Sequence, residues 1–229
     1  MSGAIVEEWD LGYFDKSVLR RVKPGPRPIA ARLIAWERGR EFYDGAREHG
    51  YGGFRYDGRW KPIVRRVVER YGLTAKSSVL EVGCKKGFFL HDLKELLPGI
   101  RVAGVENHAY AIETAMASVK ADIALAEYDR LPYPDKSFDF VFAFSSIYML
   151  HLGGVVEALR EIVRVGRGAS YVTLAAYHDE ADRKLFEGWS LLGTTMLHVE
   201  DWREVFRRVG YAGDYYFTTA RSLNLAWAE

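Results

Sequence analysis

Residues 78–88 read Ser-Val-Leu-Glu-Val-Gly-Cys-Lys-Lys-Gly-Phe. Ser78 to Val82 is a β-rich run, Gly83 and Gly87 bracket a short loop, and Phe89, Leu90, Leu93, Leu96 and Leu97 then fall on one helical face. Strand, glycine loop and helix in that order present backbone N–H groups and a helix N-terminus at the carboxyl end of a strand. A dinucleotide fingerprint needs glycines at the first, third and sixth positions. Counted from Gly83 these are Gly83, Lys85 and Phe88, which disfavours nicotinamide or flavin.

Downstream the alternation repeats. Pro98-Gly99 closes the first helix before a strand at Arg101 to Val105, and a helix is expected over Ala109 to Val119. A short strand at Ile123 to Leu125 precedes Phe138 to Phe144, an apolar run suited to a strand covered on both faces and so to the sheet centre. A helix carrying Val155, Leu159 and Ile162 leads to the strand Ser170 to Ala176, and a last helix carries Trp202 and Phe206. Asp214 to Thr219 and Ser222 to Trp227 read as an antiparallel hairpin. The expectation is an α/β fold with a seven-stranded, doubly wound, mostly parallel sheet over residues 60–229, ending in that hairpin.

Upstream, Val64, Val67, Val68 and Tyr71 mark a helix, and Lys23-Pro-Gly-Pro-Arg-Pro28 is a rigid loop before another one starting near Ile29. Residues 1–59 are therefore expected to form an N-terminal helical extension or lid. Its glycine-rich segment Gly50 to Gly58 carries Tyr51, Phe54 and Tyr56, which suits a loop closing over a flat ligand or packing at the core edge.

The 229 residues carry 32 Lys and Arg against 31 Asp and Glu, a balance that argues against a protein gripping nucleic acid along its backbone. Arg20, Arg21, Lys23, Arg27, Arg32, Arg38 and Arg40 face only Glu37, so an anion-binding patch and a solvated amphipathic helix both remain open. No apolar run approaches the roughly 20 residues of a membrane span. Acids at Glu7, Glu8 and Asp10 stand where a secretory signal would be basic and apolar, and the lone Cys84 forms no internal disulfide, so a cytoplasmic protein is expected. The histidines and single cysteine show no metal-ligand spacing, and no metal is expected.

Glu81-x-Gly83-x-x-x-Gly87 resembles motif I of the class I, Rossmann-like S-adenosylmethionine (SAM)-dependent methyltransferases of the small-molecule type, acid-x-Gly-x-Gly-x-Gly, with Lys85 in place of the middle glycine. Other matches follow in order: Glu106 at the end of the next strand, Glu127-Tyr128 to Asp139 for the adenine-side segment, and Glu161-Ile-Val-Arg-Val-Gly-Arg-Gly168 for a conserved helix end. The resemblance implies SAM as cofactor and S-adenosylhomocysteine (SAH) as product. It implies a cofactor site at Glu81, Gly83, Cys84, Lys85, Gly87, Glu106, Asn107, Glu127, Tyr128 and Ser145, with Glu106 accepting from the ribose hydroxyls and Tyr128 packed by the adenine ring. Lys85 and Lys86 are expected to face solvent or to attract a carboxylate.

Methyl transfer is an in-line displacement driven largely by positioning, with a base needed only when the acceptor arrives protonated. Tyr148 and His178 follow strand ends and are the candidate catalytic residues. Tyr51, Tyr56, Tyr177 and Arg32 are the candidate acceptor contacts. The expected function is methylation of an O or N atom of a small anionic metabolite, in natural-product or surface-sugar biosynthesis, by a monomer or homodimer that contacts neither membrane nor nucleic acid. The alternatives are a tRNA or protein methyltransferase and a non-catalytic SAM-binding regulatory protein.

Overall fold

The structure, a computed structural model, describes residues 7–229; the first six residues of the expected extension lie outside them. In chain order the strands are β1 (Arg20–Val22), β2 (Ser78–Val82), β3 (Arg101–Glu106), β4 (Ile123–Leu125), β5 (Phe138–Ala143), β6 (Gly166–Tyr177), β7 (Leu197–His198), β8 (Asp214–Thr218) and β9 (Leu225–Trp227). The helices are α1 (Ile29–Glu37), α2 (Arg40–Asp44), α3 (Lys61–Tyr71), α4 (Phe88–Leu96), α5 (Ala109–Glu113), α6 (Leu152–Val165), α7 (Glu180–Trp189) and α8 (Val199–Val209).

Seven strands form the main sheet in the order β4-β3-β2-β5-β6, with β7 and β8 both pairing to the far edge of the long β6. The centre is β5, as its unbroken apolar run requires: Phe140, Val141, Phe142 and Ala143 are wholly buried. Alternation along β5 divides the core into two. Phe140 and Phe142 join Ile63, Val64, Val67 and Phe89 from α3 and α4, while Val141 and Ala143 join Leu159, Ile162, Trp202 and Phe206 from α6 and α8. The Trp202 indole N–H is satisfied in this interior by the carbonyl of Ala175, 2.9 Å away.

The strand order reverses between β2 and β5, because the chain runs outward from β2 to β3 and β4 and then returns to β5 on the other side. The connections leave the carboxyl ends of these two strands in opposite directions, opening a crevice at the switch point.

Two expectations are corrected. The C-terminal antiparallel hairpin does not form: β8 pairs parallel with β6, from Tyr171 opposite Asp214 to Ala175 opposite Thr218. Between β8 and β9, Thr219 and Ser222 exchange hydrogen bonds of 2.8 and 3.0 Å, and Asn224 takes a positive φ of 51°. That turn carries the chain off the sheet, and β9 pairs instead with β1, parallel, in a separate two-stranded sheet. The seventh strand is β7. The helix expected over Ala109 to Val119 stops at Glu113, because the N–H of Met116 leaves the helix to donate to the carbonyl of Lys86 at 3.0 Å.

The segment before α3 is more than helical. Glu8 bridges to Tyr215 at the edge of β8, Leu11 is buried in the α3–α4 core, and β1 pairs with β9. The chain from α1 to Tyr56 then crosses the carboxyl ends of the central strands.

Candidate active site

Gly83 makes the first turn after β2. Its φ is +76°, and an added Cβ would collide with the side chain of Ser146, whose hydroxyl donates to the carbonyl of Val82 at 2.7 Å. Gly87, at φ +72°, caps α4, and a Cβ there would come within 2.7 Å of Val119. Both glycines are thus required by backbone conformation and by space. Cys84 lies between them, buried against Gly104; its enclosure pushes the thiol well above its ordinary pKa, so it is a packing residue without nucleophilic character.

Glu106 ends β3 with no solvent exposure. Burial alone would raise its pKa. The groups that favour the carboxylate outweigh it and hold the value below the usual range: His108 first, then Lys85, Tyr128 and Arg38. Its oxygens accept from the N–H of Lys85 at 3.0 Å, the N–H of Asn107 at 3.0 Å and the hydroxyl of Tyr128 at 2.9 Å. Asn107 donates onward to Glu127 at 3.1 Å. Glu106, Asn107, Glu127 and Tyr128 therefore form one network at the ends of β3 and β4. Tyr128 is turned inward, its ring wholly buried and its hydroxyl spent on Glu106.

Glu81 is buried on β2 and one of its carboxyl oxygens has no hydrogen-bond partner among the described residues. Burial pushes it up to about 8. Facing it is the most consequential side chain of the site. Lys85 takes the left-handed conformation with φ +54° and folds back beneath the loop, so that its ammonium donates to the carbonyl of Gly83 at 3.2 Å and to that of Phe144 at 3.0 Å. Those carbonyls follow β2 and β5, the two strands that flank the switch point. Enclosure lowers the pKa of Lys85, with Glu81 and Glu106 opposing the shift. Lys85 neither faces solvent nor is placed to receive a carboxylate, and Lys86 is engaged elsewhere, 2.7 Å from Asp44 of α2.

Residues upstream of α3 complete the enclosure. Arg38, 7% exposed and itself at φ +46°, reaches over Glu106 to Asn107 Oδ1 at 3.2 Å and the Tyr128 hydroxyl at 3.4 Å. Phe42, Tyr43 and Tyr51 pack beside it, the rings of Tyr43 and Tyr51 stacked at 5.7 Å, and Ser145, Ser146 and Met149 close the opposite wall. The cavity that remains is about 10 Å³, room for one water. Cofactor pockets run to roughly 300–1,000 Å³. The donor and acceptor set therefore suits a polar, cationic cofactor, while the volume is taken by the chain's own side chains.

A second depression of about 350 Å³ lies between the start of α1, helix α7 and the segment 190–196. Arg27, Arg32 and Arg183 line it together with Glu187, and the Nε of Arg27 is enclosed and has no partner among the described residues. Leu191 contributes to this cleft and also packs, with Leu192, against the Tyr43 cluster, so segment 190–196 separates the two depressions.

The remaining candidates are dispersed. Tyr148 sits buried in the turn after β5, with its carbonyl accepting from Thr195 at 3.0 Å. His178 is exposed at the end of β6 and lines neither depression, and the Tyr177 ring meets His198 edge-on at 5.6 Å. Tyr56 is bonded to Asp92 on α4, away from the crevice. His91, Asp92 and Glu95 approach one another within 4.8 Å, but Tyr56 and Lys61 already engage the two carboxylates. Sequence reasoning missed Tyr43 and Arg183, and had Arg27 and Arg38 only as members of the basic patch from Arg20 to Arg40. A further signal for Arg38 was Arg-Gly at a helix end, where a left-handed residue terminates the helix.

The described helices include none long and apolar enough to cross a membrane. A family model described as a methyltransferase domain matches residues 80–174, the stretch from β2 to β6. The chain is 28% identical over 137 residues to the malonyl-[acyl-carrier protein] O-methyltransferase of Legionella pneumophila, covering 57% of this chain and 47% of that protein. It is 26% identical over 162 residues to the methyltransferase GfsG of Streptomyces halstedii, covering 65% and 57%. The chain spans about half the length of these curated relatives. In the complex of the Haloferax volcanii Trm112 methyltransferase activator, a chain superposes with TM-score 0.50 at 22% identity, covering 67% of this chain and 73% of that one. The molecule has the class I methyltransferase fold, and residues 80–174 form a SAM-dependent methyltransferase domain.

Proposed function

We propose that this chain, with its class I methyltransferase fold, transfers the methyl group of SAM to an O or N atom of a small anionic metabolite, in natural-product or surface-sugar biosynthesis. The observation that carries the reading is the network at the switch point: a glycine turn, a fully buried carboxylate at the end of β3, and two strand-end carbonyls already gripping a cation. Glu106 and Asn107 would hold the ribose, and the carbonyls of Gly83 and Phe144 with the free oxygen of Glu81 would hold the cationic amino acid end. When bound, SAM supplies an electrophilic methyl carbon that needs only an aligned lone pair.

The arginine-lined cleft supports an anionic acceptor. Arg27 and Arg32 are the candidate anchors, Arg32 having no ion pair among the described residues, and Arg183 is shared with Glu180 and Glu187. His178, exposed and near the same edge of the sheet, is the candidate to take a proton at an imidazole nitrogen when the acceptor is a hydroxyl or ammonium. Calorimetry with SAM and SAH tests the cofactor, and labelled SAM with a panel of phosphorylated and carboxylated metabolites tests the acceptor. No SAM binding at high micromolar concentration would sink the reading.

One observation favours a second reading, an acceptor borne by a protein. Ile29, Leu33 and Trp36 form an exposed apolar ridge on α1, 68%, 56% and 69% accessible, beside Arg32. The Legionella relative's name gives it a carrier-bound substrate. Methyl transfer to a free metabolite at rates untouched by Trp36→Ser would exclude this version.

A further inference from the structure

We propose that Lys85 and Arg38 are internal cations that occupy the cofactor seat, so that SAM binds by displacing both, and that Lys85 sets the preference between SAM and SAH. The inference rests on the reading that SAM is the cofactor.

The placement of charged side chains leads to it. Two buried acidic side chains, Glu81 and Glu106, lie toward the carboxyl ends of adjacent strands, and two basic side chains of the chain, Lys85 and Arg38, converge on them. The Lys85 ammonium bridges the carbonyls of Gly83 and Phe144, spanning the crevice at the point where any ligand of the switch point must enter. Lys85 does this from a backbone conformation that costs a side-chain-bearing residue about 1 kcal/mol and a glycine nothing. Arg38 adopts the same strained conformation at the other end of the cleft. Two strained basic residues converging on two buried acids explain why only about 10 Å³ is left.

The closed arrangement is not fully satisfied. One oxygen of Glu81 and the Nε of Arg38 are buried without partners among the described residues, so this arrangement keeps unmet hydrogen-bonding capacity that a ligand with complementary groups can use. The covering segment is held by groups that can let go: Asp44 of α2 accepts from Lys86 and from the Tyr110 hydroxyl, both at 2.7 Å, near the surface.

SAM carries an ammonium, a sulfonium and one carboxylate. It would place its two positive centres where the chain already holds two. SAH lacks the sulfonium charge, and the displaced Lys85 ammonium stays tethered to the glycine loop beside the seat, so it disfavours the substrate form relative to the product form.

The test is calorimetric titration of SAM and SAH into wild type, Lys85→Met, Lys85→Gly and Arg38→Met, each checked by thermal melting. Lys85→Met keeps the length and the backbone strain while removing the charge. Lys85→Gly relieves the strain, and it keeps the question answerable should the methionine variant fail to fold. The expected result is SAM affinity raised at least about tenfold by either Lys85 variant, with a smaller gain for SAH, and SAM affinity raised as well in Arg38→Met. Wild type that binds SAM as tightly as the Lys85 variants, or more tightly, overturns the inference and leaves the cofactor reading standing. SAM binding to none of the four proteins overturns both.

Discussion

The two depressions on either side of segment 190–196 are opposites. The switch-point crevice has most of its polar groups matched across β2, β3 and β5 and almost no volume; the α1–α7 cleft has about 350 Å³ and an arginine, Arg32, with no ion pair among the described residues. The first is built on strand ends, where backbone geometry fixes carbonyls and N–H groups. The second is walled by a loop, a helix end and the irregular segment 190–196. A site assembled from strand ends resists rearrangement, and its charges are compensated internally; a site assembled from loops leaves its charges to solvent or to a ligand.

The sharpest way to break this contrast is Glu106→Ala. Glu106 accepts three hydrogen bonds, and losing a buried charged acceptor of this kind removes about 3 kcal/mol, so SAM affinity should fall about 100-fold in calorimetry. A change under threefold would mean that the crevice is not where the cofactor binds.

Rigidity comes next. Gly83→Ala adds a Cβ against Ser146 at φ +76° and should lower stability by about 2–3 kcal/mol in denaturant unfolding. Gly193→Ala, in the wall of the open cleft, meets the movable hydroxyl of Ser190 at 2.7 Å and otherwise only the Ser190 Cβ and the edge of Phe186 at 3.3 and 3.4 Å, and should lose about 1 kcal/mol. Equal losses would erase the distinction between the two walls.

Replacing Arg27 and Arg32 by alanine should raise the KM for an anionic acceptor about tenfold and leave SAM affinity unchanged, the effect shrinking as salt is added. A parallel loss of SAM binding would show the depressions to be one site.

The smallest effect is in pH. Glu81 has a folded pKa of about 8, raised by burial above its unfolded value, so the stability it contributes is present below the unfolded pKa and is lost as pH rises toward 8. Glu81→Gln, neutral throughout, should gain about 1 kcal/mol on wild type between pH 7 and 8 and little further above, read from urea midpoints. A constant difference across that range would place Glu81 in water.

Apart from the length of the helix at Ala109, the elements from Ser78 to Val165 were legible because their signals are local. Strand β2, the turn at Gly83, helix α4 and the acid ending β3 each follow from period and residue type within a dozen positions. The misreadings came where partners are distant. Alternation in Leu223, Leu225 and Trp227 marks a strand without saying which strand it meets, and the Thr219–Ser222 turn sent it to β1. The helix at Ala109 was cut short by the carbonyl of Lys86 in the glycine loop, which lies thirty residues before the Met116 N–H it binds and outside the reach of any periodicity.

The amino-acid sequence by itself determined the alternation of strands and helices, the glycines that permit the turn, and the chemical types available at the crevice, because each depends on a residue and its near neighbours. Only the tertiary structure decided where Lys85 and Arg38 point. A side chain in the left-handed conformation is aimed by the folded backbone on which it stands, and the groups that receive it come from β2, β3, β4 and β5. The glycine loop was legible as a turn at a strand end; that the Lys85 ammonium bridges the carbonyls of Gly83 and Phe144 became visible when the strand ends were brought together.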